Sequence, residues 1–259
     1  MPLFIKAFSV SCVIFTLTGC ATMSGKDPFE TFNRNMYALN NDLDRAFLKP
    51  LAETYKVITP EPVDKGVTNF FNNIDDVLVV VNDLLQFKFK QASSDTSRLF
   101  INTTIGILGV IDVAKDFNLP KRYEDFGQTL GWWGFKPGPY LVLPFLGPSS
   151  FRDAIGRPID SFADPRVYFR EEKYKNMFWA STALQLIDMR SDLMQLEQVL
   201  DTSSIDNYSA IRDAYLQRRQ YLVYDGNPPT TTREKIDEDF LFGDKPDKKD
   251  AKPATPVQP

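Results

Sequence analysis

Residues 127–150 read GQTLGWWGFKPGPYLVLPFLGPSS, and no other stretch of the chain restricts its own backbone so severely. Gly131, Gly134, Gly138 and Gly147 are interspersed with Pro137, Pro139, Pro144 and Pro148. Proline removes a backbone donor and crowds the preceding turn, and glycine weakens any helix that contains it, so a long regular helix is excluded here. The expected shape is a hairpin, or a bent pair of short elements, carrying Trp132, Trp133, Phe135, Tyr140 and Phe145. Two settings suit such a segment: a buried loop, or a membrane interface where the ring meets hydrocarbon and its polar tip stays wet. Residues 105–111, IGILGVI, carry the same ambiguity, because their small residues allow close helix approach in a core or in lipid.

Around this segment the periodicity is helical. Asp27-Pro28-Phe29-Glu30 has the pattern of a capping box, with Asp27 as N-cap, Pro28 at the first helical position and Glu30 reaching back. Phe29, Phe32, Met36, Leu39, Leu43 and Phe47 then recur at spacings of three and four, a stripe that Pro50 should end. Phe70, Ile74, Val77, Val81 and Leu84 form a second stripe, and Leu186, Met189, Leu193, Leu196 and Leu200 a third. Tyr208, Ile211, Tyr215 and Leu222 form a fourth. Each predicts an amphipathic helix with the stripe packed into a core. Strand signals are confined to residues 140–145, with a weaker one at 167–169, so the expected fold class is mainly α. Residues 226–259 hold Pro228, Pro229, Pro246, Pro253, Pro256 and Pro259 among mixed charges, the composition of a disordered tail. Its one aromatic island, Phe240-Leu241-Phe242, is either a docking segment or a chance cluster.

The amino-terminal residues bear on the compartment. A short leader with Lys6 precedes an apolar run over residues 7–18, too short to span a bilayer, and Leu17-Thr18-Gly19-Cys20 follows. That pattern predicts a lipoprotein signal over residues 1–19 with Cys20 as the lipid attachment site. Several acyl chains, at about 0.8 kcal/mol per buried CH₂, make a stable anchor. Ala21 rather than Asp after Cys20 favours the outer membrane, by analogy with the lipoprotein sorting rule of diderm bacteria. Cys12 would leave with the signal, so the cysteines predict no disulfide.

Composition narrows the chemistry. The 259 residues include no histidine, which excludes a Ser-His-Asp or Cys-His triad, an HExxH zinc helix and an imidazole base. With 30 Lys and Arg against 34 Asp and Glu, the chain lacks the basic excess of a nucleic-acid binder. There is no GxxxxGK[ST] loop, and no cofactor, metal site or catalytic residue is expected. Glu124-Asp125, Asp75-Asp76 and Glu171-Glu172 could supply a two-carboxylate hydrolase, but adjacent acids on polar turns are expected to be solvated surface.

Ordered blocks along the chain then resemble one family. They are Asp27-Pro28-Phe29-Glu30 with Phe32-Asn33-Arg34, Asn69-Phe70-Phe71, Arg98 with Asn102-Thr103-Thr104-Ile105-Gly106, and Glu124-Asp125-Phe126-Gly127-Gln128-Thr129-Leu130-Gly131. Gly138-Pro139-Tyr140 with Pro144, Gly147-Pro148-Ser149 with Arg152-Asp153, and Arg212-Asp213-Ala214-Tyr215 with Arg218 complete the set. Together they resemble the MlaA (VacJ) lipoprotein family, from Asp27 to about Tyr224. Two positions depart from it: Val77 stands where proline is frequent, and Phe87 where glycine is usual, which makes the helix end there hard to cap.

The resemblance implies a compact, ring-like, multi-helix domain over residues 20–225, seated in the inner leaflet of the outer membrane around an amphipathic channel. It implies association with a trimeric outer-membrane porin. It also implies removal of mislocalised phospholipid from the outer leaflet, handed to a periplasmic lipid carrier. By similarity, Gly134, Gly138 and Gly147 would be hinges of a flexible hairpin beside the channel, near Trp132, Trp133, Phe135 and Tyr140. Leu141, Val142, Leu143, Phe145 and Leu146 would face acyl chains. The alternatives are a structural lipoprotein supporting porin assembly and a carboxylate-based envelope hydrolase.

Overall fold

A computed structural model describes residues 27–169, 171–203 and 206–229. The expected signal segment, Cys20 and the Phe240-Leu241-Phe242 island lie outside the described residues. In chain order the elements are α1 (Glu30–Leu43), a π-helical turn (Asp44–Leu48), α2 (Lys49–Ile58), α3 (Glu61–Leu85) and α4 (Phe89–Thr104). A 3₁₀ turn (Ala114–Phe117), α5 (Phe126–Trp132), β1 (Tyr140–Leu143) and β2 (Gly147–Ser150) follow. Next come α6 (Phe151–Ala163), a 3₁₀ turn (Pro165–Phe169), α7 (Lys175–Ser203) and α8 (Asn207–Val223). The mainly helical expectation holds. Among the described residues no helix is long and apolar enough to cross a membrane.

Local chemistry explains most of the boundaries. Pro50 does not end the first helix: the wider π turn over Asp44–Leu48 accommodates the missing amide and the proline ring, and the chain continues into α2. Arg190 of α7 braces that turn, its guanidinium donating to both Asp44 oxygens at 2.7 and 2.8 Å. The capping box is not formed either. The Asp27 carboxylate accepts from the Phe29 amide and the Asn33 carboxamide instead, and Glu30 pairs with Arg34 at 2.8 Å, so α1 starts at Glu30. With Val77 in place of a proline, α3 runs unbroken for 25 residues. Residues 105–111 form a tight turn rather than a helix; a Cβ on Gly109 would lie 2.3 Å from Asn73 Cβ. Residues 167–169 belong to a 3₁₀ turn, not a strand.

Packing is where the stripes mislead. On α3 the buried positions are Gly66, Phe71 and Val79 together with the polar Asn73, Asp76, Asn82 and Asp83, while Phe70, Ile74, Val77 and Val81 are only half-buried and Leu84 is exposed. Leu186, Met189 and Leu193 of α7 are exposed as well, and Phe32, Leu39 and Phe47 of the first stripe likewise. The α8 stripe comes nearest to the expectation, with Tyr208 buried against Tyr140 and Val142 and Ile211, Tyr215 and Leu222 half-buried. The structure is therefore turned partly inside out: Asn33, Asp95, Arg98, Gln128 and Asp153 lie inside, and Phe87, Phe100, Phe145 and Phe162 outside. Apolar surface on that scale is stable only against an apolar surrounding, and interior charge is tolerated only where it is paired.

Four helix contacts set the frame: α3 on α4, α5 on α6, α2 on α7, and α3 on α7. The β1–β2 hairpin lies between α1, α6 and α8.

Candidate functional site

The hairpin is shaped at both ends by residues with positive φ. At the end of α5 the Gly134 amide bonds Gly131 O and the Phe135 amide bonds Leu130 O, both at 3.0 Å, a Schellman closure with Gly134 at φ 92°. Gly138 (φ 69°) starts the first strand approach and Gly147 (φ 73°) starts β2, with Phe145 at the tip also left-handed. The strands pair antiparallel, Tyr140 opposite Ser150 and Leu143 opposite Gly147.

Alternation along β1 then separates its side chains. Tyr140 and Val142 point to the interior, against Tyr208 and the half-buried Met36, Tyr37, Tyr215 and Leu216. Leu141 and Leu143 are half-buried between them in sequence, and the tip residue Phe145 is 80% exposed beside exposed Leu146. Trp132, Trp133 and Phe135 are also exposed. The Trp133 indole donates to Leu85 O at 3.1 Å, which holds that ring at its polar end, and the Lys88 ammonium stands 4.9 Å from the centre of the Trp132 ring, over its face.

Two asparagines of α1 hold the open edge of β1. Asn33 donates to Tyr140 O at 3.0 Å and accepts from the Val142 amide at 2.8 Å. Asn40 donates to Leu143 O at 2.9 Å and accepts from the Phe145 amide at 2.8 Å. Each carboxamide does what a neighbouring strand would do.

Beneath the hairpin the buried charges form closed groups. Arg219 of α8 donates to Asp125 Oδ1 and to Asp153 Oδ1, both at 2.8 Å, and Tyr215 donates to Asp153 Oδ2 at 2.6 Å. Burial opposes ionisation of Asp125 and Asp153, and the Arg219 bonds outweigh it, so both carboxyls are held below the usual range. Asp125 also starts α5, accepting from the Gln128 amide at 2.8 Å, and the Ser150 hydroxyl starts α6, accepting from the Asp153 backbone amide at 3.2 Å. Gly127 is required here, since a Cβ would lie 2.5 Å from Asp153 Oδ1.

A second group links α3 to the loop before α5. Glu124 accepts from Gln86 at 2.8 Å, Gln91 at 3.0 Å and Lys88 at 3.2 Å, and Thr129 donates to Asn82 at 2.7 Å. A third surrounds Arg98, which donates to Asp112 at 2.8 Å and stands 3.3 Å from Asp76, itself bonded to Lys121 at 2.6 Å. The expectation that Glu124-Asp125 and Asp75-Asp76 are solvated surface is thus corrected: Glu124 and Asp76 are buried, and their oxygens are occupied by cations and amides of the fold. Glu171 and Glu172 are exposed as expected.

Between the end of α5, the hairpin and α8 lies a cavity of about 420 Å³, walled by Gly134, Phe135, Arg152, Tyr215, Arg219 and Val223. Its lining mixes charge and hydrocarbon, which suits an amphiphile better than a purely apolar or purely polar ligand. No group of three or more His, Cys, Asp or Glu side chains that could hold a metal occurs among the described residues.

Residues 25–222 match the family model described as MlaA lipoprotein. The chain belongs to the MlaA lipoprotein family. Among its relatives, the intermembrane phospholipid transport system lipoprotein MlaA of Escherichia coli (strain K12) is 35% identical, over 81% of this chain and 85% of that protein. Its namesake in Haemophilus influenzae is 29% identical, over 87% of this chain and 92% of the relative. An uncharacterised protein of Rickettsia bellii is 35% identical over 81% of this chain and 83% of its own length. A solved chain from work on the structural basis for maintenance of bacterial outer membrane lipid asymmetry superposes with a TM-score of 0.65 at 31% identity, covering 76% of this chain and 99% of that one.

Within this MlaA family member several of the quoted motif blocks meet at or beneath the hairpin, while Arg98 and Asn102 join the separate group around Asp112. Asn33, Asp125, Gln128, Asp153 and Tyr215 all stood in those blocks, but spacing alone assigned them no partners. Asn40 and Arg219 were missed. A sign of Asn40 was present: it follows Asn33 by seven residues, two helical turns, on the same face of α1.

Proposed function

We propose that this chain is an outer-membrane lipoprotein that extracts mislocalised phospholipid from the outer leaflet and delivers it toward a periplasmic lipid carrier. One observation carries the reading: an exposed shell of aromatic and aliphatic side chains surrounds a paired, buried polar interior. Seated in the inner leaflet, such a body would present hydrocarbon to lipid tails. Its polar interior and the hairpin cavity would offer a headgroup a path that avoids hydrocarbon. A headgroup buried without partners costs several kcal/mol, so a path with polar walls lowers the barrier to movement between leaflets. No covalent step is needed, and Glu124, Asp125 and Asp76 are already committed to structural bonds.

In this reading Trp132, Trp133, Phe135, Phe145 and Leu146 contact the interfacial and acyl region, Leu141 and Leu143 border the passage, and Gly134, Gly138 and Gly147 let the hairpin move. Tyr140 and Val142 anchor the hairpin's inner face. Cys20 carries the acyl anchor, and a trimeric porin holds the body at its depth in the membrane.

The test is outer-leaflet phospholipid in cells lacking the gene, complemented with the wild type or with Cys20→Ala. Surface phospholipid should rise on deletion and fall only with the wild type. Normal asymmetry without the gene, with altered porin levels, would instead favour a scaffold supporting porin assembly.

A further inference from the structure

We propose that a second cavity, between α3 and α6, is a binding site for the zwitterionic phosphoethanolamine headgroup, so that this protein prefers phosphatidylethanolamine to anionic phosphatidylglycerol. The inference rests on the lipid-handling role above and narrows its substrate. The cavity has a volume of about 170 Å³. That equals the liquid volume of about six waters, enough for a small headgroup.

Its charges do not close on themselves, unlike those of the groups under the hairpin. Asp164 and Arg166 satisfy each other at 2.8 Å. The other three charged residues that line the cavity, Asp75, Arg157 and Asp160, form no salt bridge with a described residue. Arg157 donates only to backbone oxygens, Leu146 O at 3.4 Å and Pro148 O at 3.2 Å, and among the described residues no carboxylate pairs with it. Asp160 accepts from the Phe126 amide at 2.9 Å and the Asn82 carboxamide at 3.3 Å, both neutral donors. The Asp75 side chain accepts no hydrogen bond from the described residues, although it is largely shielded from solvent. Burial raises the pKa of Asp75 and lifts that of Asp160 to about 6, outweighing the more distant pull of Lys121 and Arg166 on the first and of Arg219 on the second.

A cation alone in this cavity would meet Arg157, and an anion alone would meet Asp75 and Asp160. A zwitterion satisfies both. The phosphodiester would bond the Arg157 guanidinium, and the ammonium, with three N–H donors, would bond Asp75 and Asp160. Glycerol offers no positive charge to those acids, and choline offers no N–H. Ile74 and Leu78 supply an apolar wall beside the polar floor, as the glycerol end of a lipid requires. Arg157 also ties α6 to the hairpin, through two carbonyls next to the tip, so headgroup binding and hairpin position share one side chain.

The test uses the full-length acylated protein in detergent, titrated calorimetrically with dihexanoyl phosphatidylethanolamine, dihexanoyl phosphatidylglycerol and free phosphoethanolamine. Wild type should bind the ethanolamine lipid roughly tenfold more tightly than the glycerol lipid, the size of one charge-assisted hydrogen bond. Asp75→Asn should remove most of that preference by weakening only the ethanolamine lipid, and Arg157→Gln should weaken both lipids. Equal binding of the two lipids by wild type, or an unchanged preference in Asp75→Asn, overturns the headgroup assignment while leaving lipid handling intact. Free phosphoethanolamine binding as tightly as the lipid would overturn a lipid as the source of the group. Binding of neither lipid would count against the lipid-handling role itself. The wild-type ratio is decisive even if a variant fails to fold.

Discussion

Asn33 and Asn40, two turns apart on α1, together complete the hydrogen-bonding edge of β1 from Tyr140 to Phe145. The hairpin has only two strands, so its outer edge would otherwise be unpaired. Asn33 is wholly buried and Asn40 only half-buried. Truncating Asn33 strands a buried amide and a buried carbonyl, at about 1–3 kcal/mol each. Asn33→Ala should therefore cost about 3 kcal/mol of stability, and Asn40→Ala about 1 kcal/mol because water can replace its bonds. Amide exchange at Val142 should quicken in the first variant, and at Phe145 in the second. Unchanged exchange at both amides would mean that the hairpin holds its position without α1.

The contact of α5 with α6 depends on the absence of side chains. A Cβ on Gly156 would lie 2.6 Å from the Gly127 nitrogen and 3.2 Å from the Phe126 carbonyl carbon. Backbone cannot yield there without moving Asp125 and Asp153 away from Arg219. Gly156→Ala should cost about 3 kcal/mol, an overpacking penalty, despite alanine's better helix propensity. A melting temperature in detergent equal to wild type would show that α5 and α6 can separate freely.

How much of this was legible in the sequence depends on which physical rule was being read. Gly and Pro act on the backbone of their own segment, so the hairpin at Tyr140–Leu143 and Gly147–Ser150 could be read directly. Helical spacing at Phe70, Ile74, Val77 and Val81 gave α3, but periodicity reports two faces without saying which solvent each meets. The apolar face was assigned inward by the rule for water-soluble proteins, and here Asn73, Asp76 and Asn82 share the inward place with Phe71 and Val79. Partners distant in sequence, such as Arg219 with Asp125, carry no local signal and needed coordinates.

Phe87 and Gly134 occupy the same position in two Schellman closures. At the end of α3 the Phe87 amide bonds Leu84 O at 3.1 Å and the Lys88 amide bonds Asp83 O at 2.9 Å, the pattern that Gly134 and Phe135 repeat after α5. The expected difficulty in capping α3 is met by strain rather than by another ending, since Phe87 takes φ 59°. A left-handed conformation costs an L-residue roughly 1–2 kcal/mol. The exposed Phe87 ring has Phe89 as its aromatic neighbour, at 6.3 Å, and so recovers little of that cost. Phe87→Gly should raise the unfolding free energy by about 1 kcal/mol in detergent. No gain would mean that the ring's contacts offset the backbone strain.

Asp83 and Asp95 face each other inside the molecule, each with its Oδ2 lacking any partner while Gln91 and Arg122 hold their Oδ1 atoms at 2.8 and 2.9 Å. A proton on Asp83 supplies the missing bond. Burial and the adjacent Asp95 carboxylate push Asp83 up to about 8, against about 3.9 for an unfolded aspartate. Between those values the folded state holds a proton that the unfolded state has released, so stability is full at low pH and is lost as pH rises toward 8. Asp160, raised to about 6, contributes in the same direction over the lower part of that range, while Asp125 and Asp153 lose their contribution only as pH falls below about 4. From pH 6 to 8 the Asp83 proton should lower the denaturation free energy by at most about 1.4 kcal/mol per pH unit, and the Asp83→Asn variant separates its share from that of the other raised carboxyls. Asp83→Asn replaces the proton with a permanent N–H donor toward Asp95 and keeps the oxygen that Gln91 uses. Denaturant midpoints of this variant should fall less steeply than those of wild type from pH 6 to 8 and exceed wild type at pH 8. A wild-type midpoint that is already flat over that interval would exclude a shared proton between the two acids.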